Sequence, residues 1–286
     1  MKRIGIIANC RKERAADVLQ RLAGKAKDLG LDLFADEPTV RLLKHGKTVK
    51  PDEMFDRVDA VMALGGDGTM LRAVRALDGR DKPVIGVNMG GLGFLTSVAE
   101  EKLDHALECL AADDYLVSVR AIAESVVERN GAEIAQYWAL NDVVVSNGPS
   151  SRVVTLDVSI DSDTVTSYVC DGLIVSTPTG STGHSLSSGG PILSPETQAF
   201  VISLICPHTL SSRPLVVPDK SLILIRVANS AGDLLLSVDG QVGQPLVHGD
   251  CVRVSRSDRS VRFLHLPGHS YFAVLRQKLH WSGSNV

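Results

Sequence analysis

The pentapeptide Gly65-Gly66-Asp67-Gly68-Thr69 constrains this chain more than any other stretch of it. An apolar run, Val61-Met62-Ala63-Leu64, leads into it, and a helical pattern, Met70-Leu71-Arg72-Ala73-Val74, follows. That order predicts a strand, a glycine turn and a helix start. Glycines let backbone N–H groups converge on an anion, and a helix N-terminus adds partial positive charge. Phosphate suits such a pocket. A carboxylate in its middle repels phosphate, so Asp67 makes chemical sense if it takes a proton or helps to hold a cation. That is a phosphoryl-transfer site in outline. Taken alone, the pentapeptide fits a plain α/β turn equally well. It matches neither G-x-x-x-x-G-K-[ST] nor G-x-G-x-x-G.

The chain has 286 residues, enough for one large domain or two modest ones. A formal net charge of −3 argues against a general nucleic-acid surface. No apolar run is long enough to span a membrane. The apolar start, residues 4–8, breaks at Asn9 and meets Arg11-Lys12-Glu13-Arg14, too soon for the core of a signal peptide. It reads as a first strand. The five cysteines (Cys10, Cys109, Cys170, Cys206, Cys251) are scattered, and no C-x-x-C occurs. Reduced thiols and a cytoplasmic location are expected.

Strands and helices alternate in the first third. Residues 4–8, 31–34, 60–64 and 83–88 read as strands, and 15–29, 70–77 and 104–110 as helices, with Gly30 a stop. This implies a mostly parallel α/β sheet whose ligands bind beyond the carboxyl ends of the strands. Asp67 stands at one such end. A second glycine cluster, Gly86-Val87-Asn88-Met89-Gly90-Gly91-Leu92-Gly93, stands at another. After about residue 115 the pattern turns to β-branched alternation broken by Asn130-Gly131, Asn147-Gly148-Pro149 and Asp239-Gly240. The expected division is therefore an α/β domain over 1–112 and a mostly antiparallel β domain over 113–266. A tail over 267–286, helical or strand-like, returns to the first domain.

Three polar groups remain. Residues 171–192 run from an apolar strand into a stretch dense in hydroxyls and glycine, with no charge between Gly172 and Pro195. Such a stretch can satisfy a ribose, a base or a phosphate, and the lack of charge does not suit a solvated surface loop. Asn141-Asp142 can hold vicinal hydroxyls or a carboxamide edge, or simply turn the chain into a strand. Asp239-Gly240-Gln241 is a hairpin turn by itself and a ligand contact only in company. His265 and His269 are four apart, but Leu266-Pro267-Gly268 forbids a helix that would align them on a metal. Ser185 beside His184 lacks a G-x-S-x-G elbow, so hydrolase chemistry is unsupported.

Together these segments resemble the NAD kinase family, which phosphorylates the 2′-hydroxyl of the adenosine ribose of NAD to make NADP. Gly65 to Thr69, Gly86 to Thr96, Asn141-Asp142, residues 171–192, Pro207-His208-Thr209-Leu210-Ser211-Ser212-Arg213-Pro214 and Asp239-Gly240-Gln241 occur in family order over nearly the whole chain. The first motif is shared with lipid kinases and 6-phosphofructokinases; the 171–192 segment with the Asn-Asp pair is far more specific. The resemblance implies that Asp67 is the general base. Gly65, Gly66 and Gly68 would cradle phosphates, with Thr69, Arg72 and Asn88 also in the binding set. Asn141 and Asp142 would hold ribose hydroxyls. Asp171, Thr179, Thr182, Gly183, His184, Ser185, Leu186 and Ser187 would line the dinucleotide pocket, and Gln241 and Arg152 would add contacts. The implied donor is ATP or polyphosphate with Mg²⁺, no protein side chain is assigned as a metal ligand, and the implied assembly is a homodimer or homotetramer.

Two departures stand out. Many family members carry Ala-Tyr where this chain has Gly183-His184, and residue 142 is Asp rather than Glu, which keeps the charge and shortens the reach. Two other readings compete. A lipid kinase leaves Asn141-Asp142 and the polar 171–192 segment unexplained. A catalytically silent dinucleotide sensor leaves Asp67 unexplained.

Overall fold

The structure is a computed structural model that describes residues 1–91, 93–148, 153–230 and 233–281. The chain divides into two compact units, Met1–Val119 with Val261–Val286, and Arg120–Ser260. The divisions fall inside two long strands, at 119/120 and 260/261, rather than at the 112/113 and 266/267 junctions that composition suggests.

Unit 1 opens with β1 (Arg3–Ala8), α1 (Ala15–Asp28), β2 (Asp32–Ala35), α2 (Glu37–Leu43), β3 (Lys47–Thr48) and α3 (Pro51–Arg57). It continues with β4 (Ala60–Gly65), α4 (Asp67–Leu77), β5 (Val84–Asn88), β6 (Val98–Ala99) and α5 (Leu103–Ala111). The order β3-β2-β1-β4-β5 is parallel throughout, so the expected parallel α/β sheet is present. Alternate strand residues take opposite faces. Ile4, Ile6, Leu33, Met62, Leu64, Ile85 and Val87 pack in one core with Val18, Leu19 and Leu22 of α1 and Leu103, Leu107 and Leu110 of α5. On the other face, Gly5 and Gly86 leave room for Met54 of α3 and Met70 of α4. Helices on both faces explain why β4 is buried at every residue.

Local chemistry sets the helix ends. Gly30, at φ +66°, terminates α1, and the Asp36 carboxylate caps α2 through the Thr39 N–H at 3.1 Å. Neither α2 nor α3 has a counterpart in the sequence reading. Both are 7 residues long with proline in the first turn, too short to show a periodic apolar face.

Unit 2 runs through β7 (Leu116–Arg129), β8 (Ala132–Ala139), β9 (Asp142–Asn147), β10 (Val154–Ile160), β11 (Asp163–Cys170) and β12 (Gly172–Ser176). A 3₁₀ turn (Thr179–Thr182), α6 (His184–Ser187), β13 (Ala199–Ile205), β14 (Leu215–Pro218), β15 (Ile223–Ser230), β16 (Leu234–Val238), β17 (Val242–Leu246) and β18 (Cys251–His265) follow. Its pairings are antiparallel, as expected: β11-β10-β15-β18, and a six-stranded sheet ordered β14-β13-β12-β9-β16-β17. Asn130 and Gly131, both at positive φ, join β7 to β8. A separate core gathers Val143, Val145, Leu156, Leu173, Val175, Phe200, Ile225 and Leu236.

The end of β18 and the last helix, α7 (Tyr271–Lys278), belong to unit 1. Phe263 pairs with Val84, and Lys278 sits over the Phe94 ring. The tail is helical, with Ser270 as its cap. His265 is buried and its ring stacks on that of His269 at 4.1 Å. Among the described residues no three His, Cys, Asp or Glu gather as a metal site, and no helix is long and apolar enough to cross a membrane.

Candidate active site

In unit 1 the chain goes from β1 through α1 to β2 on one side, then returns through α3 to β4 on the other. The strand order therefore reverses between β1 and β4, where open parallel sheets leave a crevice at their carboxyl ends. A cleft of about 600 Å³ lies there, lined by residues of the 8–12 loop, Asp36 and Pro38 at the end of β2, and Gly66, Gly68, Thr69 and Arg72 at the start of α4.

The glycines of the turn divide into two kinds. A Cβ on Gly65 would lie 2.1 Å from Thr69 Oγ1, so Gly65 makes room for the buried Thr69 side chain. Gly66 and Gly68 have nothing within 4 Å of that position. Both stand at the N-terminus of the 11-residue α4, with the space a side chain would fill left open. Arg72 reaches from α4 to the Ala8 carbonyl at 2.7 Å, and Lys12 donates to the Met89 carbonyl at 2.9 Å. With Arg11, they place three cations around the cleft.

Asp67 begins α4. Its Oδ1 accepts the N–H of Leu95 (3.0 Å) and of Thr96 (3.3 Å), and its Oδ2 accepts the N–H of Phe94 (2.8 Å). The carboxylate thus fixes the 93–96 loop, and Gly93 is required there because a Cβ would stand 1.9 Å from Oδ1. Among the described residues Oδ2 carries one bond, which keeps an acceptor direction open. Asn88 is buried, and its amide donates to the Gly91 carbonyl and to Thr96 Oγ1, leaving Oδ1 without a partner.

In unit 2 the Asn-Asp pair and the hydroxyl-rich segment come together. The Asp239 carboxylate accepts the backbone N–H groups of Leu140, Asn141 and Asp142 at 3.0, 2.7 and 3.2 Å, so the β16–β17 turn that carries Gln241 clamps the start of β9. Gly180 packs on Asn141 so closely that a Cβ would lie 2.1 Å from its carbonyl oxygen. Asn141 Nδ2 and Asp142 Oδ2 both approach the Cβ position of Gly183 at 3.9 Å.

Most hydroxyls of the segment bond to other protein groups. Thr177 bonds to Leu140, Ser181 to Pro178, Thr182 to Thr179 and Ser185 to Ser203. Ser185 and Thr182 therefore sit in the architecture, while His184 and Ser187 are exposed and Leu186 is half-buried. Asp171 stands apart, at the far end of β12, against the Cys206 thiol. Two buried polar atoms lack partners, Asn141 Oδ1 and Thr179 Oγ1. Between them in sequence order lies Asp142, whose carboxyl is pushed up to about 7, first by burial and then by the Asp239 charge. Asn141 and Asp142 thus offer buried acceptor oxygens that are already desolvated. Arg152 lies outside the described residues.

The sequence reading did not single out Lys12, Arg11 or Asp36 as cleft residues. They follow β1 and β2, and only the strand order reveals that these ends flank the glycine turn.

A doubly wound parallel sheet with a glycine turn at its reversal point, joined to an antiparallel β unit, places this chain among the two-domain α/β proteins of nucleotide chemistry. Residues 4–115 match the ATP-NAD kinase N-terminal domain and residues 140–266 the ATP-NAD kinase C-terminal domain. The NAD kinase of Syntrophotalea carbinolica is 40% identical over 287 residues, covering 98% of this chain and 99% of that protein. The NAD kinase of Geotalea daltonii is 40% identical over 281 residues with the same coverage. The chain belongs to the NAD kinase family and is an enzyme of that phosphotransferase class. Among solved structures, yeast NADH kinase complexed with NADH is similar at a TM-score of 0.90 and 23% identity, covering 99% of this chain and 89% of that one. An Archaeoglobus fulgidus NAD kinase in complex with ATP is similar at 0.77 and 22%, covering 98% and 100%. At that identity the likeness carries the fold.

Proposed function

We propose that this chain transfers the terminal phosphate of ATP or polyphosphate to the 2′-hydroxyl of the adenosine ribose of NAD, giving NADP. The observation that carries the reading is Asp67. It is a carboxylate placed in a turn otherwise made for anions, with one acceptor direction on Oδ2 uncommitted. In this reading Asp67 takes the hydroxyl proton as that oxygen attacks the terminal phosphorus and the bridging P–O bond breaks. Gly66, Gly68, Lys12 and Arg72 hold the donor phosphates, and Asn141 and Asp142 accept ribose hydroxyls. That two structural neighbours are complexes, one with ATP and one with NADH, supports a nucleotide donor and a dinucleotide acceptor.

Magnesium fits the same site as a partner of the donor rather than of a protein cage. The oxygens on offer at the turn are one carboxylate, Asp67, and one orphaned amide oxygen, Asn88 Oδ1. That set suits an ion that takes most of its ligands from phosphate and water. Bound there, it would neutralise charge on the transferred group. The five free thiols support a reducing, cytoplasmic setting, and exposed Leu210, Leu215 and Val216 offer apolar surface for the proposed homodimer or homotetramer.

The test is NADP formation from NAD with MgATP by wild type and Asp67→Asn. We expect the variant to lose about 10²-fold or more in kcat, with modest change in NAD affinity. Because Asp67 also fixes the 93–96 loop, the rate–pH profile separates the roles. Loss of the base removes the acid limb of the profile, whereas a loosened loop lowers the rate at every pH. Absence of turnover with ATP or polyphosphate, with NAD or NADH, while NAD still binds would favour the dinucleotide sensor.

A further inference from the structure

The donor cleft holds one residue whose charge is wrong for phosphate. Asp36 follows the last residue of β2 and lines the cleft together with Arg11, Lys12, Gly66, Gly68 and Arg72. One of its oxygens, Oδ1, caps α2 through Thr39 N–H; Oδ2 has no partner among the described residues, and the residue is exposed.

The three strand ends that frame the cleft stand in a row. Ala35 of β2 pairs in register with Ile6 of β1, and Ala8 of β1 pairs with Leu64 of β4. The cation-rich glycine turn is therefore at the β4 side and Asp36 at the β2 side, two strand spacings or roughly 10 Å apart. A carboxylate at that distance does not compete for phosphate. It is placed for a neutral hydroxyl group, and an acid at the end of the second strand reads ribose hydroxyls in other doubly wound folds. A linear inorganic phosphate chain has only negative oxygens to set there, and Asp36 would repel them.

We infer that Asp36 reads the ribose of the phosphoryl donor, so that the cleft selects a nucleoside triphosphate over inorganic polyphosphate. The inference rests on the reading that donor phosphates occupy this cleft. Asp36 acts on specificity and takes no part in the chemical step.

The test is calorimetric titration of ATP, 2′,3′-dideoxy-ATP and tripolyphosphate into wild type, Asp36→Ser and Arg72→Ala. Serine retains the α2 cap but lacks the reach and charge, and an unchanged melting temperature confirms an intact helix. A charge-assisted hydrogen bond predicts that wild type binds ATP about tenfold more tightly than the dideoxy nucleotide. Asp36→Ser should bind those two alike and tripolyphosphate no more weakly than wild type does. Arg72→Ala should weaken all three. If wild type binds ATP and dideoxy-ATP equally, or if Asp36→Ser loses ATP and tripolyphosphate by the same factor, the role of Asp36 falls while the donor cleft stands. If wild type binds none of the three, or Arg72→Ala changes nothing, the placement of the donor fails and takes the inference with it.

Discussion

At the 65–69 turn, Gly66 and Gly68 face open space, whereas in the 171–192 segment Gly172, Gly180 and Gly190 are each pressed against other atoms, with Cβ positions 2.7, 2.1 and 2.2 Å from Val145 O, Asn141 O and Ser185 Oγ. Both regions read as glycine-rich ligand loops. In the first, glycine leaves space beside Arg72, Lys12 and the start of α4, the groups proposed to hold the donor phosphates. In the second, glycine lets two segments touch, so that hydroxyls donate to backbone carbonyls and a carboxylate is left buried at Asp142. Glycine abundance alone does not say which kind of loop a chain has made.

Substitutions should separate the two regions sharply. Gly180→Ala forces a methyl group onto a backbone oxygen and should destabilise unit 2 by about 3 kcal/mol or more in urea melts. A loss under about 1 kcal/mol would mean that the contact yields easily. Gly66→Ala meets no atom and should stay within about 0.5 kcal/mol of wild type, while raising the KM for the donor.

The buried charge offers a second contrast. The Asp142 carboxyl titrates higher in the folded chain than in the unfolded one, so the folded state binds the extra proton. Stability is therefore lost as pH rises from about 4 towards 7, and the penalty is complete above 7. Asp142→Asn should raise the stability of the ligand-free protein by about 2 kcal/mol at pH 8 and by little below pH 4. Equal gains at both pH values would show that burial, not ionisation, is what the variant relieves. His184→Tyr should have the smallest effect, a change of a few-fold in the KM for NAD with kcat held, because the side chain is exposed at the start of α6. An unchanged KM would place it outside the pocket.

Much of this was legible in the residues. The strands of unit 1 carry near-continuous apolar runs because both faces are covered, and β4 with its glycine turn stands out for that reason. The antiparallel unit declares itself through alternation and through Asn130-Gly131. The short helices α2 and α3 stay hidden, since seven residues cannot display a helical period. The unit boundaries stay hidden because β7 and β18 each run as one strand across them. At the proposed site, Asp67 and Asn141-Asp142 stand out by residue type. That Ser181 and Ser185 bond inward, or that Asp36 shares a cleft with Gly66, depends on partners far away in sequence.

The division of the chain has a consequence for how it is made. Unit 2 is one continuous stretch, whereas unit 1 takes a further partner for β5, the end of β18, and its closing helix α7 from beyond that stretch. On a ribosome, the first unit emerges early yet waits with an unfinished sheet edge beside Val84 until the second has been synthesised. The inserted unit can complete its own hydrogen bonding first, and the host then closes around the last residues to arrive.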